Sequence, residues 1–326
     1  MINDPIKVGV VGVGHLGQHH VKHYKTLNNA ELVGIFDRDK NRTKEISLKY
    51  DVRVFDDLNA LIKEVDALSI VTNTQYHAEI AEICIKNKRH VFIEKPITAT
   101  LGEADHLLLI AKENGVLIQV GHIERLNPAL LALQPYSIKP KFIEIQRLAP
   151  YTSRGTDVPV VLDKMIHDID ILLSFVDAPA KTIQATGLSI LTDSVDIAHA
   201  RIRFDNGTVA SIMSSRVAQD EVRKIKIFQK NLYATLDLLI GSTEIYKIAD
   251  DDGIAEMMVP FEYGGETKFI TYEKPKLDSS DPLHKELENF VSSVQGKDTP
   301  IVSGKAGRDA LGFAMEIQRM IIQDKH

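Results

Sequence analysis

The chain has 326 residues, more than one hydrophobic core usually supports, so we expect two domains. With 44% hydrophobic and 26% charged residues, its composition excludes a largely disordered protein. The formal net charge of −6, from 39 basic and 45 acidic residues, argues against a general attraction to nucleic acid or to an anionic membrane.

Cysteine content and apolar runs restrict the class further. The single cysteine excludes an internal disulfide, and Cys84 falls in a helical stretch, where we expect a small buried residue and not a nucleophile. No apolar run approaches the length of a membrane span, and Met1–Pro5 has neither a basic region nor an apolar core. We therefore expect a cytoplasmic protein without a membrane partner.

A glycine motif follows the first predicted strand. The apolar run Lys7–Val11 leads into Gly12-Val13-Gly14-His15-Leu16-Gly17 and then into a helix-compatible segment. In this spacing Gly12 permits a tight turn, Gly14 leaves room for a pyrophosphate, and Gly17 lets the helix pack closely on the strand. Amides at the helix N-terminus then face the phosphate. A purely structural turn is the alternative. The predicted cofactor-binding residues of this motif are Gly12, Gly14, His15, Leu16 and Gly17.

An acidic residue, Asp37, ends the second predicted strand, Leu32–Phe36, twenty positions after Gly17. A carboxylate there accepts hydrogen bonds from the adenosine ribose and repels a 2′-phosphate, which favours NAD over NADP. The neighbouring Arg38 can pair with that phosphate instead, so NADP stays open. For both residues a solvated strand end is the alternative.

Strands and helices alternate as far as residue 122. This rhythm predicts an N-terminal α/β domain over residues 1–122, a Rossmann-type doubly wound parallel sheet with helices on both faces. Ligands of such sheets bind beyond the carboxyl ends of the strands, so the residues just after each strand are the candidates for chemistry. The predicted strands are Ile6–Val11, Leu32–Phe36, Arg53–Phe55, Ala67–Val71, His90–Ile93 and Leu117–Val120.

The fifth predicted strand ends in Glu94-Lys95-Pro96, at the edge where the nicotinamide half of the cofactor would lie. A lysine there can donate to a substrate hydroxyl oxygen, stabilise a developing alkoxide or help relay a proton. Proline stiffens the turn and can adopt a cis bond. A surface lysine is the alternative.

After about residue 123 the pattern changes to one helix and a succession of strand-like runs. It predicts an α+β domain over residues 123–326 with a large, mainly antiparallel open sheet. The clearest hairpin joins Ala198–Phe204 to Thr208–Met213 through Asn206-Gly207. Its strands alternate between an apolar and a polar face, and the polar face is either solvated or the interface of a homodimer or homotetramer. Two helices close the chain, near Leu283–Val294 and Ala306–Gln323.

Polar residues interrupt the apolar run Val161–Leu173. On an ideal helix Asp163, His167 and Asp170 share one side, opposite an apolar stripe. Carboxylates beside an imidazole fix its tautomer and raise its basicity, which suits a general base that takes the proton of an alcohol. A solvated polar face is the alternative. The apolar stripe consists of Leu162, Met165, Ile166, Ile169, Leu172 and Leu173.

Together these motifs resemble the Gfo/Idh/MocA family of nicotinamide-dependent sugar and cyclitol oxidoreductases, over essentially the whole chain. The resemblance rests on the glycine motif, Glu94-Lys95-Pro96, the Asp163–Asp170 helix and the late segment Gly296–Gly307. It implies that Lys95 and His167, with Asp163 assisting, act on the substrate hydroxyl. It also implies that the cofactor-binding residues include Thr72, Asn73, His77 and Glu94.

The chain departs from the common family pattern at Val160-Val161 and Met165, where many members have glycines. This difference implies another approach of substrate to the helix. With Gly121–Pro128 and Arg223–Gln229, the chain resembles the branch that oxidises nucleotide-linked N-acetylhexosamines such as UDP-N-acetylglucosamine.

A nucleotide sugar carries a diphosphate, which requires guanidinium or ammonium partners. Arg125 and Arg154 are the preferred substrate-binding pair, because they flank the interdomain region in sequence. A surface salt bridge is the alternative for each candidate, and we expect no more than two to touch substrate. The candidates are Arg125, Arg147, Arg154, Arg216 and Arg223.

The leading interpretation is an NAD(P)-dependent oxidoreductase that oxidises a secondary hydroxyl of a sugar by hydride transfer to the nicotinamide. One alternative is a dehydrogenase of a free sugar or an inositol. Another is a non-catalytic dinucleotide or sugar sensor, although the residues for chemistry are present. We expect no metal: His19, His20 and His23 are explained by helix surface, and no zinc-type spacing accompanies them.

Overall fold

The computed structural model describes residues 4–152, 158–249, 257–277 and 280–324. The chain divides into two compact units. The first consists of Met1–Leu126 and Ser280–Gly312, and the second of Asn127–Ser279 and Phe313–His326. Sequence patterns placed Ser280–Gly312 with the second domain, whereas the structure groups this segment with the first unit.

A parallel sheet forms the centre of the first unit. Its strands are β1 (Ile6–Val11), β2 (Ala30–Phe36), β3 (Ala67–Ile70), β4 (His90–Glu94) and β5 (Ile118–Gly121). The order β2-β1-β3-β4-β5 reverses direction at β1, and this confirms the predicted doubly wound sheet. The reversal places the ligand crevice beyond the carboxyl end of β1. The helices between the strands are α1 (Gly17–Tyr24), α2 (Lys40–Tyr50), α3 (Leu58–Glu64), α4 (His77–Lys86) and α5 (Leu101–Asn114).

The predicted strand Arg53–Phe55 is wrong as a strand. It makes one parallel bridge, between Ile35 and Val54, so the described sheet of this unit has five strands. The segment is short because Asp51, left-handed with φ 48°, caps the end of α2, and Asp57 already caps the start of α3. Phe55 packs on Gly34, where an added Cβ would lie 2.4 Å from its ring.

The second unit is built on a nine-stranded sheet. In the described strands every neighbouring pair is antiparallel except β6 with β9, which confirms the predicted large, mainly antiparallel sheet. The strands are β6 (Phe142–Leu148), β7 (Ala180–Leu188), β8 (Ile197–Phe204), β9 (Val209–Ser215), β10 (Val222–Gln229), β11 (Leu232–Asp237), β12 (Ser242–Ala249), β13 (Met257–Tyr263) and β14 (Glu266–Glu273). Their order is β13-β14-β12-β11-β10-β6-β9-β8-β7. The first helices of the second unit are α6 (Pro128–Leu131) and α7 (Ile166–Phe175).

The predicted hairpin is confirmed as β8 and β9, with Gly207 at φ 84° in the turn. Its predicted alternation is confirmed as well. Ala198, Ala200, Ile202 and Phe204 are buried, whereas His199, Arg201 and Arg203 are exposed.

Two helices follow, α8 (Pro282–Val294) and α9 (Gly304–Asp324), close to their predicted bounds. Leu287, Phe290 and Val291 of α8 are fully buried in the apolar core of the first unit. An added Cβ on Gly307 of α9 would lie 2.5 Å from Val120 of β5. These contacts explain why the segment belongs to the first unit.

Two expectations from composition also have outcomes. No helix in the described ranges has both the length and the apolar character needed to cross a membrane. Cys84 is fully buried, and burial raises the pKa of its thiol to about 12, so it is unsuited to act as a nucleophile.

Candidate active site

The three glycines of the motif have distinct surroundings. Gly12 adopts φ 86°, and an added Cβ there would lie 2.7 Å from the carbonyl oxygen of Val71. On Gly17 an added Cβ would lie 1.9 Å from the carbonyl oxygen of Gly12. On Gly14 it would meet no described atom within 4 Å. Gly12 and Gly17 are thus required by the loop itself, while Gly14 leaves space for a ligand.

Two side chains hold the loop after β1. Arg42 donates from Nε to the carbonyl oxygen of Val13 at 2.8 Å and from Nη2 to that of Gly14 at 3.3 Å. Asp37 accepts the N–H of Val13 at 2.8 Å. Sequence reasoning missed Arg42, because nothing in its position on α2 distinguishes it from an arginine on a helix surface.

A cavity of about 210 Å³ lies at this end of the sheet. It brings together six predicted cofactor residues, Gly12, Gly14, Asp37, Arg38, Thr72 and Asn73. Tyr76, which sequence reasoning missed, also lines it, and the Arg38 guanidinium lies 4.6 Å from the centre of the Tyr76 ring. Planar groups of this kind suit an adenine ring.

These groups fit a dinucleotide. In the described part of the chain no side chain caps the N-terminus of α1 at Leu16, so backbone amides there remain suited to a pyrophosphate. The Asp37 oxygens accept N–H groups of Val13 and Asp39, and each can accept one further bond, as from a ribose hydroxyl. His15 and Leu16 are exposed at the start of this helix.

The turn after β4 contains the candidate lysine. Lys95 is half-buried, and the Lys95-Pro96 bond is cis. The Glu94 carboxylate accepts the N–H of Lys95 at 3.2 Å and lies 3.1 Å from Nε2 of His20. Burial alone would raise the pKa of Glu94, but the hydrogen bond with His20 and the charges of His20 and Lys95 outweigh burial and lower it. A charged Glu94 therefore fixes the backbone of the turn.

His77 holds the same turn from its other end. Its ring is buried, with Nδ1 3.0 Å from the carbonyl oxygen of Pro96 and Nε2 3.0 Å from that of Thr72. His77 and Glu94 were both predicted to bind cofactor, and both are engaged by protein groups around Lys95.

The expectation that helix surface explains the α1 histidines is wrong for two of them. His20 is 1% and His23 8% exposed, because His20 points to Glu94 of β4 and His23 to Asp281 before α8. No group of three or more metal-ligating side chains occurs among residues 4–152, 158–249, 257–277 and 280–324.

The candidate histidine of the second unit lies on a helix that starts irregularly. Val161–Met165 is a π-helical turn, in which Ile166 N–H reaches the carbonyl of Val161, and α7 follows. Asp163 and His167 are half-buried. Asp170, predicted on the same side of the helix, is 1% exposed and so does not lie on a solvated polar face. The wider turn changes the angular spacing between Asp163 and the residues of α7, on which the ideal-helix prediction depends.

The apolar stripe also differs from the prediction. Leu162 and Leu173 are only half-buried, whereas Ile171 is fully buried. Val160, Val161 and Met165, where the sequence was expected to depart from the family pattern, are fully buried. These three residues therefore pack in the core of the second unit.

A buried ion pair fixes α7 to the sheet. Arg147 of β6 donates from Nε and Nη2 to the Asp168 carboxylate, at 2.9 to 3.0 Å. Both side chains are at most 7% exposed. Asp168 is the residue after His167, so this pair sets the position of the helix that carries the imidazole.

The five candidate arginines separate into three groups. Three have carboxylate partners: Arg147 with Asp168 and Arg216 with Asp196 in buried pairs, and Arg223 with Glu221 in an exposed pair, which alone matches the surface salt bridge of the alternative. Arg125 is half-buried in the short helical turn Ile123–Leu126. Arg154 lies outside the described residues.

A Rossmann sheet with this cavity, followed by a unit with a large mixed sheet, defines a class of nicotinamide-dinucleotide oxidoreductases. Residues 6–122 match the family described as oxidoreductase family, NAD-binding Rossmann fold, and residues 145–231 match the GFO/IDH/MocA C-terminal domain. The chain therefore belongs to the Gfo/Idh/MocA oxidoreductase family, and the predicted family, oxidoreductase class and NAD cofactor are confirmed.

Two relatives span nearly the whole chain. A UDP-N-acetylglucosamine 3-dehydrogenase of Acidithiobacillus ferrooxidans is 34% identical over 314 residues, 96% of each chain. A solved structure of that enzyme has a TM-score of 0.88, covering 98% of each chain. A myo-inositol 2-dehydrogenase of Thermotoga maritima is 26% identical over 332 residues, 95% of each chain. The chain is thus similar to dehydrogenases of sugars and of cyclitols.

Proposed function

We propose that the protein oxidises a secondary hydroxyl of a nucleotide-linked N-acetylhexosamine with NAD, and that this hydroxyl is on C3 of UDP-N-acetylglucosamine. The observation that carries the proposal is the 34% identity, over 96% of both chains, to an enzyme with that name. The inositol dehydrogenase, at 26%, supports a free cyclitol less strongly.

The residues of the first unit supply the cofactor site of this proposal. Amides of His15, Leu16 and Gly17 bind the pyrophosphate, and Asp37 binds the adenosine ribose. Arg38, Thr72 and Asn73 complete the cavity wall. When bound, NAD supplies the nicotinamide carbon that accepts a hydride from the substrate.

Proton transfer is assigned to three side chains. His167 takes the proton of the hydroxyl group, and Asp163 favours the protonated imidazole electrostatically. Lys95 donates a hydrogen bond to the hydroxyl oxygen as negative charge develops on it. The general base and the positioned cation handle the proton and the developing charge, and the hydride goes to NAD.

Arg125 is the proposed partner of the substrate diphosphate. It is preferred because, with Arg154, it flanks the interdomain region in the sequence, and it is half-buried in the turn Ile123–Leu126. Arg154 stays a candidate from sequence alone.

A substrate panel tests the proposal. The purified protein is incubated with UDP-N-acetylglucosamine, other nucleotide sugars, free N-acetylglucosamine and myo-inositol, each with NAD and with NADP, while reduced-cofactor absorbance is followed. We expect turnover with a nucleotide-linked N-acetylhexosamine and NAD. Turnover of free sugars or inositol alone supports the second candidate, and cofactor binding without turnover of any substrate supports a sensor.

We also propose that the second unit associates with another copy to form a homodimer or homotetramer through the open face of its sheet. Five aromatic rings form a row across that face, with neighbouring ring centres 4.7 to 5.8 Å apart. Such a row on a sheet face that is partly exposed favours association. The rings belong to Phe142, Phe228, Tyr233, Tyr246 and Tyr272.

Light scattering tests the association. The wild type should be a dimer or tetramer, and Phe228→Glu with Tyr246→Glu should lower the mass to that of one chain. A monomeric wild type refutes it. A separate proposal is the cytoplasmic location expected from composition, which cell fractionation tests.

A further inference from the structure

His77 joins two loops that leave adjacent strands. Thr72 follows β3 and lines the cofactor cavity, while Pro96 follows β4 and is the neighbour of Lys95. Nδ1 of His77 lies 3.0 Å from the carbonyl oxygen of Pro96, and Nε2 lies 3.0 Å from that of Thr72. His77 is the first residue of α4 and is 1% exposed. It is therefore a direct bridge between the cofactor loop and the lysine turn.

Both contacts use the same hydrogen-bond chemistry. A carbonyl oxygen only accepts, so each contact requires an N–H on the facing nitrogen, and a neutral imidazole has one N–H. Burial lowers the pKa of His77, opposed by the two carbonyl groups and by the charge of Glu94. The neutral ring therefore donates to one of the two carbonyl oxygens at a time and the protonated ring to both, so the ring is placed to hold either loop or both.

The other end of the lysine turn has its own anchor. Glu94 accepts the N–H of Lys95, and His20 of α1 holds the same carboxylate. Lys95 thus lies between a residue fixed from α1 and a residue fixed from α4. Loss of the His77 contact releases one end of the turn and leaves the other fixed.

We infer that His77 is a positioning residue that couples the cofactor loop to the Lys95 turn, and that it is not a cofactor ligand. The inference rests on the proposed role of Lys95. It predicts that the two halves of the bridge have separable effects, one on NAD affinity through Thr72 and one on turnover through Pro96.

Two conservative variants separate the halves. The amide nitrogen of asparagine reaches about as far as imidazole Nδ1, and that of glutamine about as far as Nε2. His77→Asn keeps a donor toward Pro96, so we expect the Kd for NAD to rise about tenfold, the value of one hydrogen bond, with kcat nearly unchanged. His77→Gln keeps a donor toward Thr72, so we expect kcat to fall about tenfold with NAD affinity nearly unchanged.

Hydrogen exchange gives a readout that needs no substrate. We expect faster exchange in peptides covering residues 71–74 for His77→Asn, and in peptides covering residues 94–98 for His77→Gln. His90→Asn is the control, because His90 lies at the opposite end of β4 and accepts the N–H of Leu117. This variant should leave the exchange of both peptides, kcat and the Kd for NAD unchanged.

Other outcomes overturn the inference. Equal loss of NAD affinity and of turnover in both variants, in proportion to their loss of thermal stability, means a general structural role. Unchanged exchange in both peptides means that the ring holds neither loop. If Lys95→Ala keeps normal turnover while the exchange pattern is as expected, the proposed role of Lys95 fails and the bridge stands.

Discussion

The Lys95 turn and the helix that carries His167 are held by different kinds of contact. The turn follows a strand of a parallel sheet and is fixed by polar side chains of neighbouring helices, Glu94 with His20 and His77 with Pro96. The helix is fixed by apolar burial and by the ion pair between Arg147 and Asp168. The Lys95 turn therefore depends on hydrogen bonds at the edge of the parallel sheet, whereas the helix that carries His167 depends on the core of the second unit.

This difference teaches where mutations should act. Hydrogen bonds around the turn lie beside the proposed chemistry, so their loss should alter kinetics more than stability. The contacts of the helix lie in the core of the second unit, so their loss should alter stability first. The π-helical turn at Val161–Met165 makes the start of this helix irregular, and such turns often occur at functional sites.

The largest expected effect tests whether both regions take part in chemistry. Lys95→Ala and His167→Ala should each lower turnover by about 10² to 10⁴-fold, the usual range for positioned acid–base groups. Reduced-cofactor absorbance measures turnover, and cofactor fluorescence should show unchanged NAD binding. Lys112→Ala and His106→Ala, exposed residues of α5, are matched controls. Near-normal turnover in both active-site variants contradicts the assignment.

The next prediction distinguishes the helix from the turn by the effect of a substitution on the free energy of unfolding. Arg147→Ala leaves the Asp168 carboxylate buried without its partner, which should lower the free energy of unfolding by about 3 to 5 kcal/mol. Urea unfolding measures it. The double variant Arg147→Met with Asp168→Leu should recover most of the loss. Arg223→Ala, which breaks the exposed pair with Glu221, should cost about 0 to 1 kcal/mol. Equal losses in the free energy of unfolding for Arg147→Ala and Arg223→Ala would contradict the proposal that the buried ion pair stabilises the helix.

The smallest effect compares two glycines of one loop. Gly17→Ala places a methyl group against the Gly12 carbonyl, so we expect the free energy of unfolding to fall by up to about 3 kcal/mol and NAD affinity to fall with it. Gly14→Ala meets no described protein atom within 4 Å, so it should weaken NAD binding while leaving the melting temperature nearly unchanged. Calorimetry and fluorescence titration measure both. Wild-type affinity in Gly14→Ala would contradict a pyrophosphate at this position.

Local patterns predicted the parts of the site that follow from chain order. The glycine spacing, Asp37 at the end of β2 and Lys95 at the end of β4 are close in sequence to their strands, and parallel strands bring their carboxyl ends to one edge. The hairpin at Asn206-Gly207 was predictable for the same reason, since turn residues and alternation are local.

The remaining features depend on contacts between distant segments. Arg42 is recognisable only from the carbonyl groups that it reaches, and the inward orientation of His20 only from its contact with Glu94. The partner of Arg147 lies 21 residues away. The π-helical turn before α7 was not predictable either, since a helical wheel assumes a regular repeat.

The most direct test of the account follows the transferred hydrogen. UDP-N-acetylglucosamine carrying deuterium on C3 is incubated with the protein and NAD, and the reduced cofactor is analysed by mass spectrometry. The account predicts that the reduced cofactor contains the deuterium and that its formation is slower than with unlabelled sugar. Reduced cofactor without deuterium, or none at all with this sugar, would contradict the proposed reaction.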